Sequence, residues 1–218
     1  ELIDVAADCG ADFIKFQTFK ATNLVSASSD LAGYQATTTS YGNQLEMLTD
    51  LELKYEWHQG LIEHAESKSI GFITTPFDVE AIAFLSQLRM ELFKIPSGEI
   101  TNLPYLREIS KLGKRVILST GMANLGEIET SIEALTSNGL DRDKITLLHC
   151  TTEYPAPIEE VNLSVMETLK KAFNLPVGYS DHTEGITISI AAAAMGAQII
   201  EKHFTLDRRL PGPDHKAS

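Results

Sequence analysis

The residues of this sequence that could do chemistry are lysines, serines and histidines placed where apolar runs end. In Phe93-Lys94-Ile95-Pro96-Ser97-Gly98-Glu99, the flanking Leu92, Phe93 and Ile95 are apolar. Lys94 therefore stands where a cation is costly unless an anion meets it. Pro96 and Gly98 stop the strand, and Ser97 and Glu99 follow at once with a hydroxyl and a carboxylate. Alone, such a segment is equally a strand end with a snorkelling lysine. The design recurs, however. Lys15 and Gln17 lie two residues apart and so share a strand face. Thr74 and Thr75 close a second run, and Ser119 and Thr120 another. His149, Thr151, Thr152 and Tyr154, then Ser180, Asp181 and His182, then Glu201, Lys202, His203 and Thr205 close the rest.

The types suggest the chemistry. Lys15 and Lys94 with Ser97, Ser119 and Ser180 suit a small dianion, a phosphate or a carboxylate. His182 and His203, from neighbouring strand ends, suit a divalent metal with open positions. A lone histidine of this kind is more ordinarily a hydrogen-bonded core residue. Glu99, Tyr154 and Asp214 could hold a polyhydroxylated substrate or simply cap loops. His149 alternates with Leu148 and Cys150 and reads as structural. His58 and His64 fall on a predicted helix surface and read as solvated.

The elements that must position these residues alternate strictly. Helices are predicted over 1–9, 55–68, 79–89, 103–112, 125–137, 163–173 and 186–195, the last Ala-rich and buried. Strands are predicted over 13–19, 70–74, 92–95, 115–119, 145–150, 177–179 and 198–204. Residues 22–51 read as a long polar stretch rich in Ser and Thr with one short helix near 43–48, a length that is usually functional or mobile. Seven strands, each linked to the next by a helix, imply parallel pairing with crossover helices. The reading is an α/β fold, a (β/α)8 barrel, whose functional residues gather at the C-terminal strand ends. A barrel needs eight strands and the chain opens on a helix, so the first strand is expected before Glu1. An open doubly wound sheet fits less well, because no glycine-rich phosphate turn follows any strand.

Composition bounds the partners. The 218 residues carry a net charge of −12, which argues against nucleic acid and anionic membrane. No apolar stretch is long enough to span a bilayer. Cys9 and Cys150 are isolated cysteines in contexts that read as buried, expected as reduced thiols in a cytoplasmic protein.

Several segments together carry a family resemblance. They are Ala11-Asp12-Phe13-Ile14-Lys15-Phe16-Gln17-Thr18-Phe19, Thr75-Pro76-Phe77-Asp78, Lys94-Ile95-Pro96-Ser97-Gly98-Glu99, Leu118-Ser119-Thr120-Gly121-Met122, His149-Cys150-Thr151-Thr152-Glu153-Tyr154-Pro155, Ser180-Asp181-His182-Thr183, Glu201-Lys202-His203-Phe204-Thr205 and Gly212-Pro213-Asp214. In this order they resemble the sialic acid synthase family of N-acetylneuraminate and N,N'-diacetyllegionaminate synthases. The resemblance implies a barrel that condenses phosphoenolpyruvate with an N-acetylated hexosamine (N-acetylmannosamine or a 2,4-diacetamido-trideoxyhexose) and releases phosphate. It implies Mn2+ or Mg2+ on His182 and His203. Lys15, Lys94, Ser97, Ser119 and Ser180 would hold phosphoenolpyruvate, and Gln17, Thr75, Glu99, Tyr154 and Asp214 would contact or flank the sugar. Lys15, Lys94, Glu99, His182 and His203 would be the catalytic set. Thr152 stands where the family has an Asn and is carried as a substrate contact. The family's first strand, with its acidic residue and histidine, is not in this sequence. Nor is its C-terminal antifreeze-like domain, which in the family reaches into the partner subunit and contributes an arginine to its site; the full-length form is expected to be a homodimer. Residues 1–218 are thus expected to be a partial barrel domain. Two other readings compete: a non-catalytic remnant that binds an anion or sugar, and a different metal-dependent barrel aldolase. The second would need more acidic or histidine ligands.

Overall fold

A computed structural model describes all residues, 1–218, as two compact units, Glu1–Lys94 and Ile95–Ser218. The first unit opens with α1 (Leu2–Asp8) and β1 (Phe13–Thr18) and continues with α2 (Ala21–Leu24), α3 (Gly33–Thr38) and α4 (Gln44–Asp50). Then come α5 (His58–Ser67), β2 (Gly71–Pro76) and α6 (Val79–Leu85). The division falls inside β3 (Leu92–Ile95). Beyond it lie α7 (Leu103–Ser110), β4 (Arg115–Ser119), α8 (Leu125–Thr136), β5 (Ile145–Cys150), α9 (Ser164–Phe173), β6 (Val177–Asp181), α10 (Thr187–Ala194) and β7 (Ile200–Lys202).

The strand–helix alternation read from the sequence is present, and the strands fall into two sheets. β1 and β2 pair in parallel, and the other sheet has the order β3-β4-β5-β6-β7, with β4 to β7 in parallel register. Local sequence explains the helix starts. Asp78 accepts from the Ala81 amide at 2.6 Å, and Asn124 with Glu127 forms a capping box at the head of α8. In the first unit, Ile3, Ala6, Ile14, Ala65 and Ile70 form one buried cluster that glues α1 and α5 to β1. In the second, Tyr105, Leu106, Ile109, Leu118, Ile132, Leu135, Ile145 and Tyr179 are almost wholly buried between helices and sheet. Each such side chain contributes about 1.5–3 kcal/mol of hydrophobic stabilisation.

Four expectations are corrected. Residues 22–51 carry three short helices, not one. Their Thr hydroxyls, which read as loop chemistry, instead donate back to carbonyls one turn earlier, as Thr38 and Thr49 do at 2.9 and 2.7 Å. Glu52 anchors the start of α2 through the Ala21 amide, and Met47 of α4 is buried. The second correction is His58, which is fully buried, whereas His64 is on the surface as expected and meets Asp4. Cys9 is exposed, just past the end of α1; only Cys150 is buried. Finally, α10 is not a buried helix. Ala192 alone is buried on it, and Ile190 is exposed with its neighbours Ile186 and Met195. An apolar sequence records only that burial is compatible, not that a covering surface is there.

β6 also runs two residues further than the sequence pattern suggests. Ser180 and Asp181 are therefore strand residues with fixed, opposite orientations. No helix is long and apolar enough to cross a membrane.

Candidate functional site

In the first unit, the period of two sorts the polar residues at the ends of β1 and β2. The register Lys15↔Ile73 and Gln17↔Thr75 puts Lys15, Gln17 and Thr75 on one face, while Phe16↔Thr74 puts Thr74 with Thr18 on the other. The second set is closed on itself. The Lys54 carbonyl can only accept, so His58 Nδ1 donates to it at 3.1 Å, and Nε2 must accept the Thr18 hydroxyl at 2.7 Å. Thr18 in turn accepts from Thr74 at 2.8 Å. Burial holds the His58 pKa below its ordinary value and keeps the ring neutral, as this chain of bonds requires. On the other face, Thr75 Oγ1 is buried without a hydrogen-bond partner, and Lys15 is half-buried. Lys94, on β3, is only 4% exposed, and Gln17 is exposed.

In the second unit, the ends of β4 to β7 carry the remaining residues. Ser119, the last residue of β4, is buried with its hydroxyl unpartnered. An unmet buried hydroxyl costs about 1–3 kcal/mol, and Tyr55 and Tyr179 carry such hydroxyls as well. Beyond Ser119, Gly121 lets the chain lie against β5. A Cβ there would come within 2.7 Å of both Cys150 Sγ and the Thr152 methyl. Thr152 is thus packed against the β4 loop. Ser97 and Glu99 sit on a short helical turn after β3, half-buried, with Glu99 accepting from Asn102 Nδ2 at 2.7 Å. Nothing brings Glu99 against the histidines. That contact supports the loop-capping alternative for its ground-state position.

The histidines themselves converge. The rings of His182 and His203 lie 5.5 Å apart, and the Tyr154 ring stands 4.3 Å from the first and 5.4 Å from the second. His203 Nδ1 is 3.5 Å from Asp214 Oδ2. His182 Nδ1 is 2.5 Å from the Thr151 carbonyl, which can only accept, so Nδ1 carries a proton. Nε2 faces Ser180 Oγ at 3.3 Å, but that hydroxyl gives its only proton to Glu201 Oε1 at 2.7 Å. Ser180 thereby joins the His182 ring and the Glu201 carboxylate in one hydrogen-bonded set at the strand ends. A backbone carbonyl that fixes the tautomer of an imidazole is the usual support for a metal-ligating histidine. The residues fit a divalent ion in this respect. They supply two imidazoles and do not form a cluster of three His, Cys, Asp or Glu.

Sequence reasoning missed Glu201 as a member of this group. The signal was available in the alternation of Glu201-Lys202-His203, which puts the carboxylate on the face of His203. His149 has the structural role expected: its Nε2 donates to the Val161 carbonyl at 2.6 Å, and burial lowers its pKa. The other face of the same strand ends holds Asp181, fully buried, and Lys202, 3.4 Å apart. Burial pushes the Asp181 carboxyl up, but hydrogen bonds from Ser189 and Thr183 and the Lys202 charge outweigh it and hold the pKa below its ordinary value.

Polar and titratable side chains gathered at the C-terminal ends of parallel strands are where α/β folds of this kind carry their functional groups. The NeuB family profile matches residues 2–218, and the chain belongs to the NeuB family. It is 60% identical over its whole length to N,N'-diacetyllegionaminic acid synthase of Campylobacter jejuni, covering 66% of that protein. The corresponding synthase of Legionella pneumophila is 49% identical over the whole chain, which covers 62% of it. The chain thus spans less than two thirds of these curated relatives. Among solved structures, the N-acetylneuraminic acid (sialic acid) synthetase of Leptospira borgpetersenii, in complex with citrate, is 35% identical with a TM-score of 0.88. This chain is covered in full by that match, and 70% of the synthetase chain.

Proposed function

We propose that the full-length protein condenses phosphoenolpyruvate with an N-acetylated hexosamine, a 2,4-diacetamido-trideoxyhexose in particular, to give a nonulosonic acid and phosphate. Identity of 60% to a diacetyllegionaminic acid synthase supports that acceptor over N-acetylmannosamine. The observation that carries the reading is the His182–His203 pair with Ser180 and Glu201, together with the partnerless hydroxyl of Ser119.

The chain's own residues have the following roles. Lys94 and Lys15 offset the charge of phosphoenolpyruvate; a buried ammonium such as Lys94 is worth most where water is excluded. Ser97, Ser119 and Ser180 orient its phosphate and carboxylate oxygens. Gln17, Thr75, Glu99, Thr152, Tyr154 and Asp214 contact or flank the sugar. His182 and His203 would hold Mn2+ or Mg2+, which when bound supplies a Lewis acid for the carbonyl of the open-chain acceptor. With both substrates oriented, C3 of phosphoenolpyruvate bonds to the acceptor carbonyl carbon as the C2–C3 and carbonyl π bonds open; water adds at C2, its two protons pass to the former carbonyl oxygen and to phosphate, and the C2–O bond breaks to release phosphate and leave the 2-keto group.

The fold reading extends in the same way. The remaining barrel strand and a C-terminal domain would lie in the additional length of the relatives, and the active form would be a cytoplasmic homodimer. The test is phosphate release by the full-length protein with phosphoenolpyruvate and a panel of N-acetylated hexosamines. Turnover with the diacetamido sugar is expected; ligand binding without phosphate release from any acceptor would favour a non-catalytic role.

A further inference from the structure

The reverse face of β6 and β7 holds a buried ion pair, Asp181 with Lys202. The register Ser180↔Glu201 and Asp181↔Lys202 puts the first two residues on the face of the imidazoles and the second two behind them. Asp181 is fully buried and nearly saturated with donors. Its Oδ1 accepts from the Thr183 amide at 2.9 Å and the Thr183 hydroxyl at 2.7 Å, and its Oδ2 from Ser189 Oγ at 2.6 Å. Lys202 Nζ lies 3.4 Å from Oδ2 and donates to the Thr183 carbonyl at 2.6 Å and the Ala217 carbonyl at 3.4 Å.

Both partners therefore grip one residue. The carboxylate takes the N–H and O–H of Thr183, and the ammonium takes its carbonyl. Thr183 directly follows His182 and Lys202 directly precedes His203. The backbone leaving β6 after one imidazole is thus tied to the backbone that presents the other, with Ser189 of α10 tied in as well. On its near side His182 is already fixed by the Thr151 carbonyl. A buried ion pair seldom adds much net stability over an apolar pair of equal volume. Its directional hydrogen bonds, by contrast, specify one geometry.

We propose that Asp181 and Lys202 are a positioning pair that sets the separation and orientation of His182 and His203. This rests on the reading of those histidines as cation ligands, and the experiment separates the two ideas. Full-length protein is prepared as Lys202→Met, Lys202→Arg, Ser189→Ala and His182→Ala/His203→Ala. Mn2+ affinity of the metal-free proteins is measured by calorimetry, and histidine tautomers are read from 15N spectra without metal. Loss of a residue that orients a ligand typically weakens metal binding about 10–100-fold, and that loss is expected for Lys202→Met. Lys202→Arg should recover most of it, and Ser189→Ala, which strands no charge, should lose a few-fold. Without the tie from Lys202 to Thr183, the backbone after His182 should shift and draw the ring off the Thr151 carbonyl that sets its tautomer, giving a mixture of tautomers in Lys202→Met. A folded Lys202→Met protein with wild-type Mn2+ affinity and a single tautomer overturns the proposal. If that variant does not fold, unchanged affinity and spectra in Ser189→Ala overturn it. If the double histidine variant binds Mn2+ like wild type, it is the ligand reading that fails. The tautomer spectra of Lys202→Met then decide the positioning role alone, a mixture supporting it and a single form ending it.

Discussion

His58 in the first unit and His182 in the second are both buried histidines, each with Nδ1 against a backbone carbonyl. They differ in what the second nitrogen meets. His58 Nε2 receives a proton from Thr18 at 2.7 Å, and the chain of bonds ends inside the protein. His182 Nε2 faces Ser180 Oγ at 3.3 Å, and the Ser180 proton is already committed to Glu201. One ring is closed into a structural hydrogen-bonded chain; the other stands with a serine and a carboxylate beside a second imidazole, the arrangement on which the proposed cation site rests. Burial alone therefore says nothing about function, and the proton inventory of the neighbours decides it.

The largest expected effect breaks the second half of this comparison. Replacing His203 or His182 with Ala should reduce Mn2+ affinity by at least about 100-fold, beyond what loss of a supporting residue causes, and nearly abolish phosphate release. Calorimetry and a phosphate assay on the full-length protein check it, and wild-type Mn2+ affinity in the double variant would remove the pair from the site.

Lys94→Ala comes next. Losing a buried charge-assisted contact should cost about 2–4 kcal/mol of transition-state stabilisation. The deficit should appear in the constants for phosphoenolpyruvate rather than those for the sugar. Steady-state kinetics with each substrate varied in turn would show the opposite split if Lys94 served the acceptor.

His58→Ala tests the structural half. Removing the ring leaves a cavity and strands Thr18, at a cost of about 2–4 kcal/mol in stability by denaturant melts. Mn2+ affinity should not move. A loss of metal binding without loss of stability would erase the contrast between the two histidines.

Ser119→Ala sharpens the comparison at smaller scale. The hydroxyl has no partner, so deleting it should leave stability unchanged or raise it by up to about 1–3 kcal/mol. KM for phosphoenolpyruvate should rise several-fold. Lower stability with unchanged KM would make Ser119 a core residue.

The smallest effect is in pH dependence. Burial lowers the native pKa of His58 and His149, so the unfolded chain, titrating near about 6.5, takes up protons first as pH falls. Stability is full above about pH 6.5 and should decline below it. The melting temperature between pH 7.5 and 5.5 measures this decline, and replacing His58 with a residue that does not titrate should flatten the slope. A slope equal to wild type would mean that His58 is already protonated in the native state.

Much of this was legible in the sequence. Apolar runs separated by helix-period segments fixed the strand–helix alternation, because those periods are set by backbone geometry. Capping residues such as Asp78 and Asn124 marked helix starts by their own hydrogen-bonding chemistry. Polar residues after each apolar run marked the strand ends, and the types at those ends are what the proposed anion and cation sites rest on. The period of two also held the sorting of Glu201 from Lys202 once the strand limits were known.

Tertiary structure decided what depends on partners distant in sequence. His58 reads as surface because its helix is weakly amphipathic; Thr18, which bonds its ring, and the rings of Phe72 and Phe84, 6.4 and 5.1 Å away, surround it. α10 reads as core because it is Ala- and Ile-rich, yet it exposes Ile190, since hydrophobicity records a preference and not a neighbour. The tautomer of His182 is set by the Thr151 carbonyl, and the proton of Ser180 by Glu201. Residue types established which groups could exchange protons or hold a cation; only their placement in space fixed where each proton resides, because a hydrogen bond exists at about 2.7–3.2 Å and is lost beyond it.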